Sequence, residues 1–146
     1  QRCAWVISGS TGPWMTKPLM LMFLNNLYRI VDKVVYGEEA RVTILLNRDS
    51  VIYKAHFPGN PITPGACIVE MGREIASLIL EKDLVLEKAD NIKFLTGIHP
   101  GETPRVVFVL QVQEQEKGRW RVRAEVRDGD NIMTKMTLCL KEMLSV

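Results

Sequence analysis

One stretch of the chain gathers residue types that could move protons. His56 heads the run His56-Phe57-Pro58-Gly59-Asn60-Pro61-Ile62-Thr63-Pro64-Gly65, and Glu70 follows His56 by fourteen positions. An imidazole with an ordinary pKa of about 6.5 is mostly neutral at physiological pH and can accept a proton, and a carboxyl can give one. The prolines each fix φ at roughly −65° and remove a backbone donor, while Gly59 and Gly65 permit tight turns, so the loop should hold its side chains still. Pro64-Gly65 predicts a helix start, because proline suits a first turn whose N–H groups lack intrahelical partners. The unused amides near Gly65 and Ala66 then form a place where a developing negative charge is stabilised.

The helix that positions Glu70 is predicted over 65–81. Apolar or small residues (Ala66, Cys67, Ile68, Val69, Met71, Gly72, Ile75, Ala76) cover most of its circumference, which marks it as buried. At about 1.5 Å per residue it spans roughly 25 Å. Glu70, Arg73, Glu74, Ser77 and Glu81 fall on one narrow polar stripe.

Around it the pattern is that of strands. Residues 27–36 and 40–46 are rich in β-branched and aromatic types and flank the turn Gly37-Glu38-Glu39, giving a first hairpin. After a connector over 82–88, a strand is predicted at 89–95. Three long strands follow at 105–115, 119–127 and 132–142, joined by Glu116-Lys117-Gly118 and by Asp128-Gly129-Asp130, the latter a strong hairpin signal. Residues 18–26 are expected to be a short helix over one edge. An antiparallel sheet wrapped around one long helix, an α+β arrangement, is the architecture these elements imply.

Length and composition bound the rest. With 146 residues and 47% hydrophobic content the chain can bury a core, and 19 basic against 17 acidic residues leave no block of the kind that binds nucleic acid. Residues 1–18, broken by Gly9, Gly12 and Pro13, are expected to be an N-terminal extension, and 19–146 a single domain. The apolar run Leu19 to Leu24 is far short of the ~20 residues of a membrane span and lacks the flanks of a secretory signal. Cys3, Cys67 and Cys139 are odd in number, with no metal or redox spacing, so no metal is expected and a reducing cytoplasm is the simplest setting. Cys67 reads as a small buried residue. No Gly-rich phosphate loop and no Gly-x-Ser-x-Gly elbow is present.

His-Phe-Pro-Gly-x-Pro-x-x-Pro-Gly with a helical Glu fourteen positions after the His resembles the 3-hydroxyacyl-[acyl carrier protein] dehydratases of the hotdog fold. Two further segments carry the likeness: Ile30-Val31-Asp32-Lys33-Val34, similar to the family's opening strand, and Lys93-Phe94 followed by Pro100-Gly101-Glu102. The resemblance runs from about Leu27 to Glu142. It implies a hotdog fold and the removal of water from a 3-hydroxyacyl thioester, with His56 as base, Glu70 as acid and the amides of Gly65 and Ala66 holding the enolate-like oxygen. Phe57, Pro58, Gly59, Pro64, Arg73 and Glu74 are then expected at the substrate pocket. It also implies that the acyl group arrives on the phosphopantetheine of acyl carrier protein, that no cofactor is used, and that a homodimer shares its sites, His56 and Glu70 coming from different subunits. The family's isomerising branch carries Asp where Glu70 stands, so dehydration alone is expected.

The chain departs from the family's pattern in places. Leu24-Asn25-Asn26-Leu27 replaces a His-Arg-Tyr-Pro run, Leu95 and Thr96 replace basic residues, and Glu70-Met71-Gly72-Arg73-Glu74 replaces Glu-Ala-x-Ala-Gln. A carboxylic acid with an ordinary pKa of about 4.3 needs a desolvated site to donate at neutral pH. Arg73 bears on that directly: in contact with Glu70 it would hold the carboxylate ionised, and otherwise it could pair with Glu74 or reshape the pocket. His99 reads as a surface loop residue. A hotdog thioesterase and a non-catalytic acyl-binding paralogue are the alternatives.

Overall fold

The computed structural model describes residues 21–56 and 59–143. Phe57, Pro58, Cys3 and the proposed extension over 1–18 lie outside the described residues. The elements run β1 (Tyr28–Tyr36), β2 (Glu39–Leu46), α1 (Val51–Ala55), α2 (Gly65–Leu80), β3 (Leu84–Phe94), β4 (Arg105–Glu116), β5 (Arg119–Asp128) and β6 (Asn131–Glu142). The six strands form one antiparallel sheet in the order β1-β2-β4-β5-β6-β3.

Alternation decides which face of this sheet is covered. Ala40, Val42, Ile44 and Leu46 of β2 are buried, as are Val106, Phe108, Leu110 and Val112 of β4 and Val122, Ala124 and Val126 of β5. Because strand side chains alternate between faces, these make one apolar surface. Helix α2 contributes Cys67, Ile68, Met71, Ile75 and Ala76 to the same core and packs against β3, β6 and β4. Gly72 permits the close approach: a Cβ there would lie 2.6 Å from Met136 Cε and 3.1 Å from Leu138 Cδ1, both on β6. The helix ends one residue earlier than expected, with Glu81 as a left-handed cap at φ 55°.

Two expectations give way, and one helix was not foreseen. Residues 21–26 form a turn and not a helix: Asn25 sits at φ 67°, against right-handed helical chirality, and the amides of Asn26 and Leu27 both reach the Phe23 carbonyl. The connector expected over 82–88 is largely strand, since β3 begins at Leu84 and pairs with β6 from Leu84↔Glu142 onward. Its exposed Glu87 and Lys88 hide it from a hydrophobic pattern, but charges suit a sheet edge. The five-residue α1, unforeseen, starts where Ser50 Oγ accepts the Ile52 amide at 3.2 Å.

Candidate active site

His56 closes α1: its amide donates to the Ile52 carbonyl at 3.1 Å, and its ring is exposed. What steadies the loop beyond it is a chain of buried hydroxyls. Thr63 donates through Oγ1 to the Ile98 carbonyl at 3.0 Å, and its amide donates to the same oxygen at 2.8 Å. Since the Thr63 proton is committed there, Tyr53 must be the donor in the 2.8 Å contact between the two hydroxyls. Burial, the largest influence, pushes the Tyr53 phenol up to about 12. His99, expected on the surface, is half-buried, with Nδ1 at 3.0 Å from the Pro61 carbonyl, which puts the proton on Nδ1. The loop carrying Pro61 and Thr63 is thus stapled to α1 on one side and to 97–99 on the other.

Pro64 is the N-cap of α2 at φ −61°, and its carbonyl accepts the amides of Cys67 and Ile68 at 3.0 and 3.1 Å. The amides of Gly65 and Ala66 precede these, in the turn where helical N–H groups lack partners along the helix. Phe94, at the end of β3, lies against this terminus: a Cβ on Gly65 would come 2.6 Å from Phe94 Cζ. Any larger residue there would push the Phe94 ring aside. Phe94 was legible as part of a motif, but its seat on Gly65 follows from β3 pairing with β6, which brings residue 94 back over the helix.

Glu70 lies in the second turn of α2 and is clamped. Arg73 donates from Nε to Glu70 Oε1 at 3.0 Å and Oε2 at 3.1 Å, and from Nη2 to Oε2 at 2.7 Å. Nη1 donates to the Leu84 carbonyl at 2.7 Å. Of the arrangements left open by the sequence, contact between Arg73 and Glu70 is the one observed. Burial works against the Arg73 charge, but the bonds and charge of Glu70, helped by Glu74 and Asp83, hold the guanidinium above its ordinary value.

Glu74, expected at the pocket, is instead fully enclosed at 0% exposure and spends its oxygens on the chain itself. Oε2 accepts the amides of Met22 and Phe23 at 2.8 and 2.9 Å, and Oε1 accepts the Leu24 amide at 3.1 Å and the Tyr28 hydroxyl at 2.9 Å. Burial, the largest influence, raises the Glu74 carboxyl, with these donors pulling the other way. Of the other expected pocket residues, Gly59 is exposed and Pro64 half-buried.

Among the described residues no group of His, Cys, Asp and Glu is placed to hold a metal ion, and no helix is long and apolar enough to cross a membrane. A cavity of about 280 Å³ lies between the 25–29 and 45–48 segments, and its lining contains neither His56 nor Glu70.

Residues 33–135 match the ApeI-like family, described as ApeI dehydratase, a span that holds both His56 and Glu70. The chain is 30% identical over 111 residues to the 3-hydroxyacyl-[acyl-carrier-protein] dehydratase FabZ of Chloroflexus aggregans, covering 69% of this chain and 77% of that protein. It is 28% identical over 119 residues to FabZ of Lactobacillus helveticus, covering 77% and 80%. Among solved structures, the dehydratase heterocomplex ApeI:P from Xenorhabdus doucetiae superposes with TM-score 0.58 at 17% identity, covering 77% of this chain and 96% of that one. A thioesterase from Haemophilus influenzae gives TM-score 0.58 at 15% identity, covering 82% and 80%, a likeness of fold alone. The matched span, the FabZ relatives and the antiparallel sheet packed on α2 together make the chain a member of the ApeI-like dehydratase family, with the hotdog fold.

Proposed function

We propose that the chain removes water from a 3-hydroxyacyl thioester carried on the phosphopantetheine of acyl carrier protein, leaving the trans-2-enoyl thioester. The observation that carries this is the dehydratase-family match across 33–135, which encloses His56 at the end of α1 and Glu70 on α2. His56 takes the proton next to the thioester carbonyl. The amides of Gly65 and Ala66 meet the enolate-like oxygen, where the positive end of the α2 dipole stabilises it. Glu70 faces the departing hydroxyl. Every step is a proton transfer or the loss of hydroxide as water, with no change of oxidation state overall, so the reaction needs no cofactor.

Each site is completed by two copies of the chain, His56 from one and Glu70 from the other. The sheet supports this reading. β3 is an edge strand, and Leu86, Ile92 and Phe94 on it are exposed, the kind of edge a second copy covers. Acyl carrier protein and a cytoplasmic setting follow from the same substrate.

The test is mass spectrometry of acyl carrier protein loaded with 3-hydroxyacyl and enoyl groups, comparing wild type with His56→Ala and Glu70→Gln. Loss or gain of one water by the wild type, cut at least ~100-fold by either substitution, is the expected result. Release of the thiol with no change in hydration would make the chain a thioesterase and end this reading.

A further inference from the structure

Resting on the dehydratase reading, we propose that Arg73 is a positioning residue that keeps Glu70 an ionised hydrogen-bond acceptor. Glu70 then orients the departing hydroxyl, while the His56 imidazolium supplies the proton that completes the water. The clamp's geometry carries this. Three N–H contacts from one guanidinium fall on the two Glu70 oxygens. A carboxyl bearing a proton would turn an O–H toward N–H groups that cannot accept it, and a guanidinium gives up no proton of its own. A carboxylate offers about four acceptor positions, so one remains for a substrate O–H. The Glu70 side chain keeps 28% of its surface open, enough for that hydroxyl to reach it.

Arg73 is held as firmly as it holds. It is 8% exposed, and Nη1 is tied to the Leu84 carbonyl, so the clamp is anchored to the first residue of β3. Swinging away would leave a buried cation and a buried carbonyl short of their partners. The other titratable groups around the pair are Cys67 and Glu74 on α2, Tyr28 on β1 and Asp83 in the turn before β3. Of these groups and Arg73, only Arg73 brings a positive charge to Glu70.

The proton balance closes with His56 alone. The C2–H bond breaks toward the imidazole, the C2=C3 bond forms, the C3–O bond breaks, and the proton on the imidazolium joins the leaving hydroxyl as water. Glu70 only accepts a hydrogen bond throughout, and nothing else is consumed.

The experiment is the pH dependence of kcat/KM for dehydration, measured between about pH 5 and pH 9 on wild type, Arg73→Ala, Arg73→Lys and Glu70→Gln. The wild-type rate should rise through one ionisation and then stay level. Arg73→Ala should lower kcat about 100-fold with little change in KM, the scale of a misplaced catalytic group, and Arg73→Lys should recover part of the loss. A bell-shaped wild-type profile whose alkaline limb disappears in Glu70→Gln would overturn the proposal, as would an Arg73→Ala enzyme at least as active as wild type. Arg73→Lys keeps the charge and most of the buried stem, so it tests the clamp even where Arg73→Ala fails to fold. Absence of water elimination by the wild type at every pH would instead remove the dehydratase reading itself.

Discussion

Adjacent residues of one helix, Arg73 and Glu74, turn their charges to different ends. Arg73 faces Glu70 and the Leu84 carbonyl, while Glu74 gathers the amides of Met22, Phe23 and Leu24 and the Tyr28 hydroxyl. All four donors point at Glu74, so an amide in its place would set NH2 against N–H. Glu74→Gln is expected to cost about 2–4 kcal/mol in urea unfolding, and a loss under ~1 kcal/mol would show that the enclosed carboxylate is dispensable. Cys67 offers a pH test at the same scale. Burial first, then the Glu70 charge, raises its thiol above the ordinary 9.0. A thiol whose folded value is raised contributes stability that is whole below the unfolded value and is lost as pH climbs through the folded one. The rate of Cys67 alkylation by iodoacetamide should accordingly keep rising with pH through 9.0, where an ordinary thiol begins to level off. An inflection below that value would contradict the placement.

At the scale of elements, the site depends on two contacts that no local pattern encodes. The staple from Tyr53 through Thr63 to Ile98 joins α1, the proline loop and the segment after β3. Tyr53→Phe keeps the ring and removes the donor, so unfolding should lose about 1 kcal/mol. Its kcat should fall as well, because the loop beyond His56 loses one of its ties; unchanged kcat would mean that the other ties suffice. Helix α2 rests on β6 at Gly72. Gly72→Ala should cost about 1–3 kcal/mol by overpacking, and Met136→Ala beneath it should relieve part of that cost. Strictly additive losses would show that the helix shifts and the side chain does not.

For the whole molecule the open matter is how copies share a site. If His56 of one subunit works with Glu70 of another, then mixing the inactive His56→Ala and Glu70→Gln proteins under subunit exchange yields dimers with one native site. Recovery of about a quarter of wild-type activity is the expected outcome for random pairing. No recovery, with exchange demonstrated, would place both residues of a site in a single chain. Sedimentation of the wild type should give the mass of a dimer.

The proline loop, the helix after it and the late strands were legible without coordinates. Their signals are local: φ fixed by proline, turns permitted by glycine, and apolar periodicity short enough to sit within one element. Such local signals are enough for the fold class, the dehydratase resemblance and the candidate pair His56 and Glu70. Residues 21–26 and 84–88 depart from the sequence expectation because their conformations answer to distant partners, Glu74 for the first and β6 for the second. The same holds for Phe94 over Gly65, His99 on Pro61 and the two opposed roles of Arg73 and Glu74. A polar stripe on a helix states which residues share a face, but what each one meets there depends on the packing of the whole chain, because a buried charge must take whichever donor or acceptor the surrounding strands bring within reach.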